Sequence, residues 1–288
     1  MTLVVATHNG QFHADDVTAV ALVRTFLDPG ARIVRTRDPR LLDEADVVVD
    51  VGSVYDPSRR RFDHHQADYR GELSSAGMVL GALESEGRIT PALARRLREE
   101  LVDYVDAVDT GRSKPERGRP CLPSIVGMIG DQAKTFAEHD RLFERAVELV
   151  VEIVRGLVAA ERKTEEAKAA LEGAMAEAVK MGRRVVLLDR HHSWKEAYFA
   201  LGGASHPTDF VVFPGESDVR VVAIPPEPGS FGQKRPLPAA WAGLENEALS
   251  EATGVPGSVF CHKNRFIAVF RTPEAAERAL RGAGLWDA

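Results

Sequence analysis

Three short stretches of the chain set histidines and carboxylates close together. The first runs from His8 to His13-Ala14-Asp15-Asp16, the second is Asp50 at the end of an apolar run, and the third is Asp63-His64-His65-Gln66. Neutral imidazole mixed with carboxylate suits Mn2+, Fe2+ or Zn2+ better than Ca2+ or Mg2+, which prefer all-oxygen shells. The candidate ligands suffice for two ions about 3.5–4 Å apart. Such a pair can bridge a phosphate, lower the pKa of a bound water and stabilise a leaving oxygen. Singly, each residue has a plainer reading. His8 could cap a turn, Asp15 and Asp16 suit the positive end of a helix dipole, and Asp50 could cap a strand end. Asp63-His64-His65, following a strand that ends in Asp50, is the specific signal. Jointly the three stretches read as a metal site.

The elements that must position these residues are legible from hydrophobic patterning. Residues 3–7 form a short apolar run, read as a buried strand, followed by the polar turn His8-Asn9-Gly10-Gln11. Residues 14–27 read as a helix ended by Asp28-Pro29-Gly30. Residues 31–36 and 46–51 give further strands, with Asp38-Pro39 opening a short helix between them. Apolar runs separated by helices predict a parallel sheet with helices on its faces. In such a sheet ligands gather beyond the carboxyl ends of the strands, where all three stretches fall. From residue 74 the chain turns helical, with helices over 74–86, 90–108 and 136–182 and a Pro/Gly/Arg-rich loop over 111–123. Ser74-Ser75 reads as a helix cap. Phe143, Val147, Val150, Val154 and Leu157 recur at helical spacing, and residues 163–180 read as a polar connecting helix.

The last hundred or so residues change character. Strands are predicted over 184–188, 209–213, 219–224 and 266–270, with a hairpin turn at Gly215-Glu216-Ser217-Asp218 and a closing helix from Thr272-Pro273. The fold class expected is therefore α/β: a parallel-sheet domain with helices on both faces and a helical connector over residues 1–182, then a smaller α+β domain over 183–288.

Composition narrows the function. Hydrophobic residues at 44% and charged residues at 28% fit a soluble globular protein and exclude a disordered or rod-like chain. A formal net charge of −6 excludes a protein that coats nucleic acid by charge alone, although bound metal ions reverse the local field. Cys121 and Cys261 are too few for a disulfide framework or a four-thiolate zinc site, and Cys121 has no nucleophile context. No apolar stretch reaches the length of a membrane span and no leader is visible at the start, so the expectation is a cytoplasmic protein with no membrane partner.

The motifs resemble those of the melanocyte proliferating gene protein family. Thr7-His8-Asn9-Gly10-Gln11-Phe12-His13-Ala14-Asp15-Asp16 is similar to its opening motif. Val49-Asp50-Val51-Gly52-Ser53, Arg61-Phe62-Asp63-His64-His65-Gln66, Leu73-Ser74-Ser75-Ala76-Gly77 and Asp106-Ala107-Val108-Asp109-Thr110-Gly111 continue the match. Ser193-Trp194-Lys195-Glu196, Pro228-Gly229-Ser230-Phe231, Pro236-Leu237-Pro238, Gly254-Val255-Pro256-Gly257 and Phe260-Cys261-His262 carry it through the C-terminal part. That family is related to the DHH phosphoesterases, named for Asp-His-His. The resemblance implies a two-metal site usually served by Mn2+, with Mg2+ or another divalent ion as alternatives, and 3′→5′ exonuclease action on RNA.

Carried over residue by residue, the resemblance makes His8, His13, Asp15, Asp50, His64 and Asp109 the metal ligands, with Asp50 bridging both ions. His13 departs from the superfamily pattern, standing where an aspartate is usual and with the spacing one residue longer. Asp63 would orient a histidine, His65 would face the substrate phosphate, Asp106 rivals Asp109, and Asp16 starts the helix. In the second domain Lys234, Arg235, His262, Trp194 and Lys195 are the candidates to hold a single-stranded RNA or short oligonucleotide, with an aromatic stacking on a base. Arg59-Arg60-Arg61 is the main cation cluster of the first domain; Arg59 and Arg60 read as a solvated turn. Competing readings keep the metals but change the substrate to a short oligonucleotide, cyclic dinucleotide or polyphosphate, make the site a metal or nucleotide sensor, or turn it to sugar or amide hydrolysis.

Overall fold

The computed structural model describes residues 2–288, which divide into two units, 2–161 and 162–288. The first unit is built on a sheet of β1 (Val4–Thr7), β2 (Arg32–Arg35), β3 (Val47–Val49), β4 (Tyr55–Asp56) and β5 (Arg61–Phe62), in the order β2-β1-β3-β5-β4. The strands β2, β1, β3 and β5 run parallel, and β4 is antiparallel to β5. The alternation along each strand divides the side chains between two faces. Val5, Val47 and Val49 enter the large core, whereas Ala6 and Val48 lie on the opposite face with Leu42 of α2 (Pro39–Glu44). Helices therefore cover both faces, as expected, but unequally.

The large core is filled by α1 (Ala14–Phe26), α3 (Ser75–Ser85), α4 (Pro91–Leu97), α5 (Asp103–Asp109) and the first part of α7 (Phe136–Lys180), with α6 (Leu122–Gly130) beside them. Every residue of α1 from Ala14 to Val23 is buried, the mark of a helix enclosed on all sides rather than laid on a surface. Phe143, Val147, Val150 and Val154 are fully buried, so the helical spacing read from the sequence is the core stripe of α7. Each such side chain contributes roughly 1.5–3 kcal/mol by leaving water. A π-helical turn over Arg98–Val102 joins α4 to α5 and shifts the helical register ahead of Asp106 and Asp109.

The second unit is a mixed sheet of β6 (Val185–Leu187), β7 (Phe210–Pro214), β8 (Val219–Ala223), β9 (Ser258–Cys261) and β10 (Ile267–Phe270), ordered β6-β7-β8-β10-β9. Only β6 and β7 are parallel. Phe210 and Val212 face a core closed by α9 (Asn246–Thr253) and α10 (Pro273–Gly282), while Val211 and Phe213 face α8 (Trp194–Ala200) and the later turns of α7. Ala167, Leu171 and Met175 are buried there. The polar stretch that the sequence suggests as a connector is thus a core element of the second unit, and the units divide within α7 rather than at residue 182. The strand β9 and the β4–β5 hairpin were not expected from the sequence.

Two loop features explain sequence motifs. Gly215 N–H donates to the Asp218 carbonyl at 2.8 Å, closing the expected hairpin turn. Gly77 lies where a Cβ would collide with the carboxylate of Asp106. That carboxylate is buried and accepts from Ser74 N, Ser74 Oγ and Gly77 N at 3.1, 2.6 and 3.1 Å, tying α5 to the start of α3. Gly77→Ala is therefore expected to lower the unfolding free energy by about 1–3 kcal/mol in urea titration. The penalty should largely vanish in an Asp106→Ala background, because the clash partner is gone; equal penalties in both backgrounds would contradict this packing.

Candidate cation centre

The strands β1, β3 and β5 are neighbours in the sheet, and each delivers chemistry at its carboxyl end. His8 follows β1, Asp50 follows β3, and Asp63-His64-His65 follows β5. Asp50 N–H donates to Phe62 O at 3.0 Å, which keeps β3 and β5 in register up to the site. The backbone then turns sharply: Asp50 and Ser53 hold positive φ of 55° and 54°, and Gly52 lies at 93°. A left-handed aspartate is uncommon but tolerated, and such outliers cluster at functional sites. The first turn of α1 approaches the same edge with His13, Asp15 and Asp16, and the last residue of α5 supplies Asp109.

These side chains form three overlapping groups whose potential ligand atoms lie within 4.8 Å of one another. One is His8, His13 and Asp50; a second is Asp50, His64 and His65; a third is His13, Asp15 and Asp109. Asp50 and His13 each belong to two groups. The oxygens of Asp50 lie 3.2 Å from His8 Nε2 and 3.3 Å from His64 Nε2. His64 Nε2 also faces Asp109 at 3.1 Å and Asp15 at 3.7 Å. The departure at His13 therefore leaves that residue within reach of both Asp50 and Asp109.

The site is charged, buried and incompletely satisfied. Asp15 is 0% exposed, and neither of its carboxylate oxygens has a hydrogen-bond partner among the described residues. His64 Nε2 is likewise buried without a hydrogen bond, despite its carboxylate neighbours. Buried polar atoms are almost always paired, so orphaned acceptors beside an imidazole nitrogen call for a cation. The residues present fit a divalent ion of the Mn2+ type. Burial first, then the charges of Asp50 and Asp109, push the Asp15 carboxyl well above its usual range. Burial also raises Asp16 to about 7, against the opposing effect of His8. Burial disfavours charge at Asp50 too, but the facing imidazoles of His64 and His8 prevail and hold it far below the usual carboxylate range. Burial alone would lower His64, yet Asp109 and Asp50 push it up to about 10. Burial likewise opposes the charge on His8, and Asp50 and Asp16 outweigh it, so its pKa is raised.

Around these groups lie residues that fix orientation. Asp63 Oδ1 accepts from His65 N at 3.1 Å and meets His65 Nδ1 at 2.8 Å, while its Oδ2 accepts from Ser53 N at 2.6 Å. Asp63 thus orients His65, whose side chain is 60% exposed. Asp16 Oδ1 accepts from His13 N and Val17 N, and its Oδ2 lies 3.3 Å from His8 Nε2, so the helix-start residue also braces a histidine. Ser75 Oγ donates to Asp50 Oδ1 at 3.2 Å, and Ser74 spends its hydroxyl on Asp106. Neither serine caps its helix with its side chain, which corrects the capping read from the sequence. The adjacency Ser74-Ser75-Ala76-Gly77 was the available signal. Asp106 is used up in tying helices together, whereas Asp109 faces His64.

The candidate substrate residues fare unevenly, and all lie in the second unit. Trp194 is 4% exposed and packs with Leu171, Tyr198 and Val211, so its ring is core and has no free face for a base. Lys234 Nζ donates to the carbonyls of Gly203 and His206 at 2.5 and 3.0 Å and to Tyr198 Oη at 3.2 Å, which spends its donors on holding the fold. Both readings are corrected: the hydrophobic driving force draws in the tryptophan, and backbone carbonyls and the Tyr198 hydroxyl engage the lysine. Lys195 is exposed, and Arg235 and His262 are half-buried, His262 accepting from Asn264 N at 3.0 Å through Nδ1. Phe231 is fully exposed. Arg61 donates to the carbonyls of Leu42 and Ala45, whereas Arg59 is exposed, as a solvated turn requires.

A parallel α/β sheet that collects histidines and under-satisfied carboxylates at adjacent strand ends defines a candidate divalent-cation centre. The sequence profile described as MYG1_exonuc, "Uncharacterised protein family (UPF0160)", matches residues 4–281, and the chain belongs to this family. It is 38% identical over 282 residues to the MYG1 protein of Chlamydia trachomatis serovar D, covering 96% of this chain and 94% of the relative. It is 34% identical over 313 residues to the human MYG1 exonuclease, covering 94% of this chain and 83% of the relative. Among solved structures, a manganese complex of RecJ from Thermus thermophilus is similar at 16% identity and a TM-score of 0.29. That match covers 99% of this chain and spans about half, 53%, of the RecJ chain. No helix among the described residues is long and apolar enough to cross a membrane.

Proton competition gives the site a measurable signature. The His64 imidazolium, held to about pH 10, must lose its proton before it can ligate a cation. Lowering the pH therefore weakens metal binding and raising it strengthens binding until the proton is gone. Between pH 6.5 and 8 the affinity for Mn2+, measured by calorimetry on the metal-free chain, should rise about tenfold per pH unit for each such proton displaced. The rise should be shallower in His64→Gln, and an affinity flat with pH would contradict the arrangement.

Proposed function

We propose that the protein is a metal-dependent phosphodiesterase that acts as a 3′→5′ exonuclease on RNA, using two divalent ions, Mn2+ in preference to Mg2+. The observation that carries this reading is the shared Asp50, common to two ligand groups, beside the orphaned carboxylate of Asp15. The name of the human relative, an exonuclease, agrees with it. His8, His13, Asp15, Asp50, His64 and Asp109 would hold the ions. When bound, they would lower the pKa of a water and offset the charge of the phosphate.

The chain's own residues then have distinct tasks. Asp50 keeps its charge because His8 and His64 face it, and so serves as the anionic bridge between ligand groups. Ser75 fixes one of its oxygens. Asp63 holds His65 through Nδ1, leaving Nε2 free to hydrogen-bond a phosphate oxygen or to protonate the leaving oxygen. His65 is exposed, as a group that meets substrate must be, and His13 is exposed beside it. In the second unit the exposed Lys195 and Phe231, with Arg235 and His262, remain the groups able to hold a nucleotide chain.

The test is hydrolysis of 5′-labelled single-stranded RNA and matching DNA with Mn2+, with Mg2+ and with chelator. The expected result is a ladder of shortening RNA that requires Mn2+ and falls at least a hundredfold in Asp50→Asn and His64→Ala. Cleavage of the DNA alone would reverse the substrate assignment. No cleavage under any metal, by a folded and metal-loaded chain, would remove the exonuclease reading.

A further inference from the structure

Beside the cation centre the first unit contains a cavity of about 350 Å³ that the ligand groups leave open. It shares His13 and Asp109 with those groups, so whatever fills it lies against that centre. Apart from Gln11 its remaining lining is apolar, with Phe12, Val105, Val108, Pro115 and Pro123. The two prolines come from the loop and helix start that the sequence marks only as a Pro/Gly/Arg-rich connection. Such a size lies at the lower end of small-molecule sites, enough for one compact ring system. The lining offers no lysine or arginine, and Asp109 at the rim disfavours an anion inside. Gln11 supplies an amide able to pair with both donors and acceptors.

Gly127 is the second, independent observation. It lies inside the helix α6, where glycine costs stability relative to alanine. Neither packing nor backbone demands it. A Cβ at this position would meet nothing within 4 Å, and its backbone is ordinary helix. A Cβ at Gly77 collides with Asp106 and at Gly130 lies 3.5 Å from the Phe12 ring; Gly81, Gly156 and Gly173 are open like Gly127, but Gly127 is the one of these that lines the cavity. Gly127 lines the cavity, so a side chain there would project into the open space. The glycine keeps the cavity empty.

We infer that this cavity seats the nucleobase of the nucleotide whose phosphate lies at the cation centre, a proposal that rests on the phosphodiesterase reading above. A flat, neutral, heteroaromatic ring suits apolar walls with one amide at the edge, and every base presents such a face. Base seating would make Phe12, Val108 and Gly127 specificity-determining positions and Gln11 the group that meets the base edge.

The test is calorimetric binding of AMP and of ribose 5-phosphate to the full chain loaded with Mn2+. The wild type should bind AMP at least tenfold more tightly. Gly127→Leu should erase that preference while leaving the melting temperature equal or higher, and Gly127→Ala, too small to fill the cavity, should retain most of it. Equal affinities in the wild type, no measurable binding of AMP, or a preference untouched by Gly127→Leu would each overturn the proposal. Because binding is read without turnover, the two readings fail separately. An AMP preference lost in Gly127→Leu, in a chain that cleaves no RNA, would uphold the base site and remove the nuclease. RNA cleavage with no such preference would do the reverse.

Discussion

Burying the Asp15 carboxylate among Asp50, Asp109 and Asp16 sets the terms for the rest of the first unit. An ionised carboxylate removed from water costs several kcal/mol unless it is paired. Three protein devices limit the repulsion. Histidines from separate strands face Asp50, the first turn of α1 points its positive dipole end at the site, and backbone and serine donors satisfy Asp63, Asp106 and one oxygen of Asp16. Asp15 shares the dipole end but receives no hydrogen bond from any described residue. A cation would complete what those devices leave undone, and metal binding would then add to stability at this edge of the sheet.

The constraint propagates outward. Asp50 can meet histidines from both neighbouring strands only because β3 ends one residue earlier and the chain turns through left-handed backbone at Asp50, Gly52 and Ser53. The same turn brings Ser53 N–H to Asp63, and Asp63 in turn fixes His65. On the far side, Gly77 lets Asp106 approach α3 closely, which places Ser75 against Asp50 and carries Asp109 to His64. Motifs distant in sequence thus converge on one carboxylate. In the second unit Lys234 donates to two backbone carbonyls and Trp194 fills a core between α7, α8 and the sheet.

Much of this was legible beforehand because strand ends and charged clusters are local signals. The runs that became β1, β2 and β3 are apolar and flanked by turns, so the edge carrying His8 and Asp50 could be read directly. Asp63-His64-His65 could be recognised, but not the two-residue strand β5 that aims it, since two residues carry no periodicity. Ser75 was hard to assign because a serine at a helix start has an adequate local explanation. Trp194 and Lys234 misled for a common reason: side-chain chemistry suggests what a residue can do, while burial and unpaired neighbours decide what it does. The long α7 misled differently. Its polar half buries a narrow stripe, Glu161, Thr164, Ala167, Leu171, Met175 and Ala178, in which small and polar residues hide the core face.

The most direct measurement is electron paramagnetic resonance of the metal-free chain titrated with Mn2+. Asp50 sits between ligand groups that share it, so saturation should give two ions per chain with an exchange-coupled spectrum. Asp50→Asn should reduce this to the spectrum of isolated ions. A single uncoupled Mn2+ at saturation, or no bound Mn2+, would contradict a paired cation centre built on that carboxylate.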